Sequence, residues 1–174
     1  MLLILYIFIG VIAFILLFAL FIKKEYSLVS EITINKPSDV VFDYVTHLSN
    51  QKYFSKWVMA DPDIKITNTG IDGTVGFISA WTSDLKNVGV GAQEITKIVP
   101  GKSYDAELRF EKPFKGVSYA NTTLHAVSPG QTKVIITFNT KTDFPMSAMI
   151  PLIKNMLKKD MDENAANLKR VLEA

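Results

Sequence analysis

Met1 to Ile22 carries no charged residue and is almost wholly aliphatic or aromatic, and Lys23-Lys24 follows at once. A helix of that length spans about 33 Å at roughly 1.5 Å per residue, enough to cross the hydrocarbon core of a bilayer. A helix packed into a soluble domain of this size keeps a polar face, which this segment lacks. The run therefore predicts a transmembrane anchor over 1–22, a short linker over 23–27 and a water-soluble domain over 28–174. A signal peptide would open on a basic region and close on small residues. Here no Lys or Arg precedes the run, and it exits through Phe18-Ala19-Leu20-Phe21-Ile22. The lysines on its C-terminal flank favour a domain on the cytoplasmic side of the membrane.

The segment beyond the anchor, about 150 residues, suits one domain with a sizeable core. Its nineteen basic and seventeen acidic residues leave a net charge of +2, and the basic ones never run beyond two in a row. Nucleic acid calls for clustered Lys and Arg, so that partner is excluded. Cysteine is absent, which excludes disulfides, cysteine nucleophiles and thiolate metal sites. Asp61-Pro62-Asp63 has no histidine nearby and reads as a solvated turn rather than a metal site. Gly70, Gly73 and Gly76 have the wrong spacing for a dinucleotide fingerprint. No cofactor is expected, and the domain reads as a monomer.

Within the domain, Ser27 to Asn35 alternates as a first strand, and Pro37 with Asp39 opens a helix. Ser49 to Trp57 reads as a second, short helix. Strands follow at Ile64–Thr69, Val75–Trp81, Gly89–Val99, Ser103–Phe110, Val117–Val127 and Thr132–Thr140. The clearest is the fourth, with Tyr104, Ala106, Leu108 and Phe110 set against Asp105, Glu107 and Arg109, as in an antiparallel sheet with one wet face. From Met146 to Leu172 apolar residues recur at three- and four-residue steps, and Pro151 marks either a kink or the true start of that last helix. The fold class is α+β, with one long amphipathic helix laid against a sheet.

Ile32-Thr33-Ile34-Asn35-Lys36-Pro37, Val40 to Val45, Trp57, Gly73-Thr74-Val75-Gly76, Trp81, Gly89-Val90-Gly91 with Glu94-Ile95, Gly130 to Val134 and Asn167 to Glu173 together carry a family likeness. The chain resembles the START-like (SRPBCC) superfamily, and within it the polyketide cyclase/dehydrase and lipid-transport group. Lys36 stands where that family usually has alanine, and His47 where many members have Asp. The resemblance implies a helix-grip fold, a curved antiparallel sheet wrapped around the C-terminal helix and enclosing a cavity for an apolar ligand. Carriers, ligand sensors, cyclases and hydrolase-like enzymes share that fold, so it does not assign chemistry.

Ligand contacts are expected from Phe77, Trp81, Tyr104, Phe110, Ile136 and Phe138 on the sheet, with Leu108 among them, from Trp57, and from Met149 and Met156 on the last helix. Ordinary core packing is the plainer role for the methionines. With Ser128–Gln131, or its inner pair, as the hairpin loop, Val127 pairs with Thr132 and His125 with Val134, and His125 joins Tyr119 on the cavity face as a polar row. A loop one residue longer or shorter sends His125 to solvent. Three readings stay open: a membrane-tethered module that binds or transfers a small hydrophobic molecule (lipid, isoprenoid or polyketide-like), with the bilayer as its partner through 1–22; a cyclase or dehydratase using His125, Tyr119 and Glu94; and a non-catalytic membrane interaction module.

Overall fold

The computed structural model describes residues 2–21, 23–144 and 146–174, the side chains of 12, 13, 15, 16 and 18–21 excepted. Helix α1 runs Leu2–Phe21, without a charge. Among the described residues no helix is long and apolar enough to cross a membrane. The expected transmembrane span is thus not found. The unbroken run of described side chains, 2–11, covers about 15 Å, half of a hydrocarbon core. The ends of the expected anchor, Met1 and Ile22, lie outside the described residues. What α1 does show is apolar side chains open to solvent, from 50% at Val11 to 73% at Ile4.

Strand β1 (Glu25–Ile34) leads through Pro37 into α2 (Ser38–Thr46), whose Val41 and Val45, one turn apart, are buried. The second expected helix is broken in two: a 3-10 helix over Leu48–Tyr53 and a single turn, α3, over Lys56–Met59. The capping group is Asp72, from a distant loop, whose carboxylate accepts from the backbone N–H groups of Leu48 (2.8 Å) and Ser49 (3.1 Å). Ser49 itself lies inside the 3-10 helix rather than capping it.

Strands β2 (Lys65–Thr69), β3 (Ile78–Thr82), β4 (Val90–Val99), β5 (Ser103–Lys112), β6 (Gly116–Ser128) and β7 (Gln131–Lys141) join β1 in one sheet, ordered β1-β7-β6-β5-β4-β3-β2. Every neighbouring pair is antiparallel. A 3-10 turn over Met146–Met149 precedes α4 (Ile150–Glu173), and Pro151 sits in the first turn of α4. Proline there lacks an N–H that would have no helical partner anyway, so it starts the helix rather than kinking it.

Helix α4 lies along β1. Ser30 Oγ donates to Asp162 Oδ1 at 2.7 Å, Lys169 Nζ to the Thr33 carbonyl at 2.6 Å, and the Asn35 N–H to Glu173 Oε1 at 2.6 Å. Two buried clusters hold the layers together. One joins Ile34, Val41, Val45, Leu124, Val134, Leu168 and Leu172; the other joins Leu48, Phe77 and Ile95. Each such side chain stabilises the fold by about 1.5–3 kcal/mol relative to exposure. By strand register both clusters sit at the end of the sheet away from α1. The result is a helix-grip arrangement of α+β class.

Candidate functional site

The sheet face toward α4, here the inner face, carries Leu28, Ser30 and Ile34 of β1, Val134, Ile136 and Phe138 of β7, and Thr122 and Leu124 of β6. Pairing continues it through Tyr104, Ala106, Leu108 and Phe110 of β5 to Gly91, Gln93 and Ile95 of β4, then Ser79 and Trp81 of β3. At the far end this face is closed by the two clusters. At the α1 end Trp81, Leu108, Phe110 and Phe138 belong to neither cluster and are half-buried, forming an apolar floor that keeps some contact with solvent.

Local chemistry fixes that floor. Trp81 meets Phe110 edge to face, with ring centroids 5.9 Å apart and planes at 73°. That is the geometry aromatic quadrupoles prefer. The indole Nε1–H of Trp81 donates to the Val88 carbonyl at 3.3 Å. Polar groups nearby pair among themselves, as burial requires. Ser118 Oγ donates to Thr140 Oγ1 at 2.7 Å. The amides of Gln51 and Gln93 exchange hydrogen bonds of 3.1 and 2.7 Å, tying the first 3-10 helix to β4. Tyr104 packs against both clusters. Burial pushes its hydroxyl above the ordinary 10.0, with a hydrogen bond from Thr122 acting the other way.

The expected ligand contacts do not all meet on the floor. Trp81, Tyr104, Phe110, Ile136 and Phe138 share the inner face as expected, whereas Phe77, 2% exposed, is a packing residue between Leu48 and Ile95. Trp57 is half-buried on α3, which packs on the first 3-10 helix and on α4. Met149 and Met156 are exposed, while Met161 is the methionine of α4 that fills the core. Half-buried Ile153 and Leu157 lie on the buried side of α4 instead.

Tyr119 and His125 correct the expectation. His125 pairs with Lys133, not Val134, and both it and Tyr119 are exposed on the outer face. The cause is a bulge between Ala126 and Ser128, which takes Val127 out of the pairing and shifts the parity of β6 by one residue. Glu94 is also on the outer face, where Arg109 binds it at 2.9 Å and Glu107 at 2.7 Å. The expected acid–base supply therefore does not converge on the floor. The Gln51–Gln93 pair escaped sequence reading, because nothing in the pattern links two amides 42 residues apart. Among the described residues no cluster of three His, Cys, Asp or Glu side chains could hold a metal ion.

A family model described as polyketide cyclase / dehydrase and lipid transport matches residues 26–173. No curated protein matches the chain. Among solved structures, truncated norcoclaurine synthase from Thalictrum flavum aligns at 12% identity with a TM-score of 0.65, over 86% of this chain and 95% of that one. The Zhui aromatase/cyclase from Streptomyces sp. R1128 aligns at 10% identity and TM-score 0.64, over 86% and 94%. Protein CV1439 from Chromobacterium violaceum aligns at 13% identity and TM-score 0.60, over 85% and 97%. At such identities the structures establish a shared fold.

Proposed function

The chain belongs to the polyketide cyclase / dehydrase and lipid transport family, and from that premise we propose that it binds, and passes to or from a bilayer, a small hydrophobic molecule held on the inner face beneath α4. The ligand class is a lipid, isoprenoid or polyketide-like molecule. The observation that carries this reading is the half-buried floor of Trp81, Leu108, Phe110 and Phe138, placed outside both core clusters. An apolar surface left accessible beside a packed core is what a ligand of that kind would cover.

Binding is favoured over cyclase chemistry because His125, Tyr119 and Glu94 all project from the opposite face. General acid–base catalysis needs such groups within hydrogen-bond reach of the reacting atoms. The uncharged α1, with its exposed apolar side chains, supports a domain held at a bilayer. Embedding removes that surface from water and raises the domain's effective concentration at the source of its ligand. Lys23 and Lys24 at its exit support the cytoplasmic side. Native mass spectrometry and solvent extraction of the detergent-purified full chain test the reading. A co-purifying apolar molecule, displaced by an environment-sensitive apolar probe, is the expected result. A protein that neither carries one nor binds the probe overturns it.

A further inference from the structure

Strand register gathers one set of loops around α1. Glu25 pairs with Lys141, Phe110 with Gly116, and Val90 with both Lys112 and Thr82, so β3–β4, β5–β6 and the exit of β7 turn at the same end of the sheet. Helix α1 belongs to that end. The Thr142 N–H donates to the Lys24 carbonyl at 2.9 Å, and α1 touches the 3-10 turn over Met146–Met149.

These loops hold out large apolar side chains. Leu85, Phe114 and Phe144 are exposed on three of them, and Val117 is exposed at the start of β6. Lysines flank them: Lys86, Lys112, Lys115 and Lys141, beside Lys23 and Lys24. Six acids share the end, Glu25, Asp61, Asp63, Asp84, Glu111 and Asp143; Asp61 accepts from Ser83 on the β3–β4 loop, and Asp143 stands 3.6 Å from Lys141. A groove of about 510 Å³ on the outer face opens here too, between Lys23, Tyr26, Val117, Tyr119 and Lys141. The opposite end exposes Ile71, Val75 and Val127, but its loops carry no exposed aromatic. It lies a ten-residue strand away, about 33 Å.

Scattered exposed apolar residues are ordinary, but apolar side chains on separate loops gathered at one end of the sheet, with lysines among them, match the boundary between acyl chains and headgroups. Lysine stems reach past the apolar tips toward phosphate, and each lysine near an anionic surface strengthens attachment about fivefold. We propose that this end of the domain docks on an anionic lipid bilayer, inserting Leu85, Phe114 and Phe144 at headgroup depth. It rests on the reading that α1 is embedded in the same bilayer. The floor of Trp81, Leu108, Phe110 and Phe138 lies toward this end, so docking brings it close to the lipid.

The chain contains no cysteine, so one introduced thiol is a unique label. Phe114→Cys and Leu85→Cys report the docking end. Gly130→Cys, where an added Cβ meets nothing within 4 Å, reports the far end. Each full-length variant is labelled with an environment-sensitive fluorophore and reconstituted into phosphatidylcholine vesicles, with or without roughly a third phosphatidylserine. The vesicles carry a lipid-borne quencher. Labels at 85 and 114 are expected to be quenched several-fold more than the label at 130. Adding Lys86→Glu and Lys115→Glu is expected to abolish the gain from phosphatidylserine. Flotation with vesicles but equal quenching at 114 and 130 overturns the docking alone. Quenching indifferent to phosphatidylserine overturns its anionic character. A chain that floats with neither vesicle overturns the embedding of α1 and the docking together.

Discussion

Gly91 lies beneath Trp81: a Cβ built on it would stand 2.5 Å from Trp81 Cζ2 and 2.6 Å from the Arg109 carbonyl oxygen. The indole is seated where it is because β4 has no side chain at this point. Gly91→Ala is expected to push Trp81 off Phe110 and to destabilise the fold by about 1–3 kcal/mol, the usual cost of overpacking. Denaturant unfolding followed by tryptophan emission, with Trp57→Phe as background, measures both effects. An unchanged emission maximum and midpoint would contradict the seating.

Binding of an apolar probe separates the two sheet faces. Phe110→Ala removes part of the floor and should weaken binding about tenfold, or ~1.4 kcal/mol. His125→Ala and Tyr119→Phe lie across the sheet and should leave affinity unchanged. Fluorescence titration of the three variants decides; a loss with His125→Ala would mean that the ligand sits on the other face.

The Asn164 side chain links α4 to the start of α3, its Oδ1 accepting from the Lys56 backbone N–H at 2.7 Å. Lys56 Nζ reinforces the junction, reaching Asp160 at 2.8 Å and Glu163 at 2.7 Å, and these bonds raise its pKa. Asn164→Ala leaves one helix-start N–H without its partner and should cost about 1 kcal/mol. Lys56→Met should show a smaller, salt-sensitive loss, because its ion pairs face solvent. Thermal melts at low and high salt distinguish them.

Alkaline pH should act through Tyr104. Burial raises its folded pKa above the ordinary 10.0, so its contribution is complete below that value. As pH rises past it, the unfolded chain ionises first and stability falls. Tyr104→Phe should flatten this slope. Denaturation at about pH 9 and about pH 11 tests it, and equal slopes in both proteins would refute it.

Acid should act through Asp162, held below the ordinary 3.8 first by Lys158 and then by Ser30. A depressed carboxyl stabilises the fold above its unfolded pKa and loses that contribution as pH falls through the folded one. Asp162→Asn is expected to be less stable than the parent at neutral pH and to converge with it in acid. Parallel curves would place the acid sensitivity elsewhere.

How much of this was legible in the sequence depended on contrast between alternate residues. On β5, charged Asp105, Glu107 and Arg109 alternate with Tyr104, Ala106, Leu108 and Phe110, and the structure follows that division. On β6 neither row is decisive: Ser118, Ala120 and Thr122 face inward against Tyr119, Asn121 and Thr123, so a loop of assumed length had to set the parity. One bulged residue, Val127, reversed it. Pro151 left two outcomes open, and the 3-10 turn ahead of α4 selects the helix start. The break between the first 3-10 helix and α3 was hidden because its capping carboxylate, Asp72, arrives from 23 and 24 residues away.

The separation of the two buried clusters from the floor near α1 has an evolutionary corollary. Residues such as Ile34, Leu124 and Val134 answer for cohesion, whereas Leu108, Phe110 and Phe138 lie outside both clusters. Substitutions that recontour the second group can accumulate with little penalty in foldability. A scaffold divided in this way can change its guest while remaining recognisably itself.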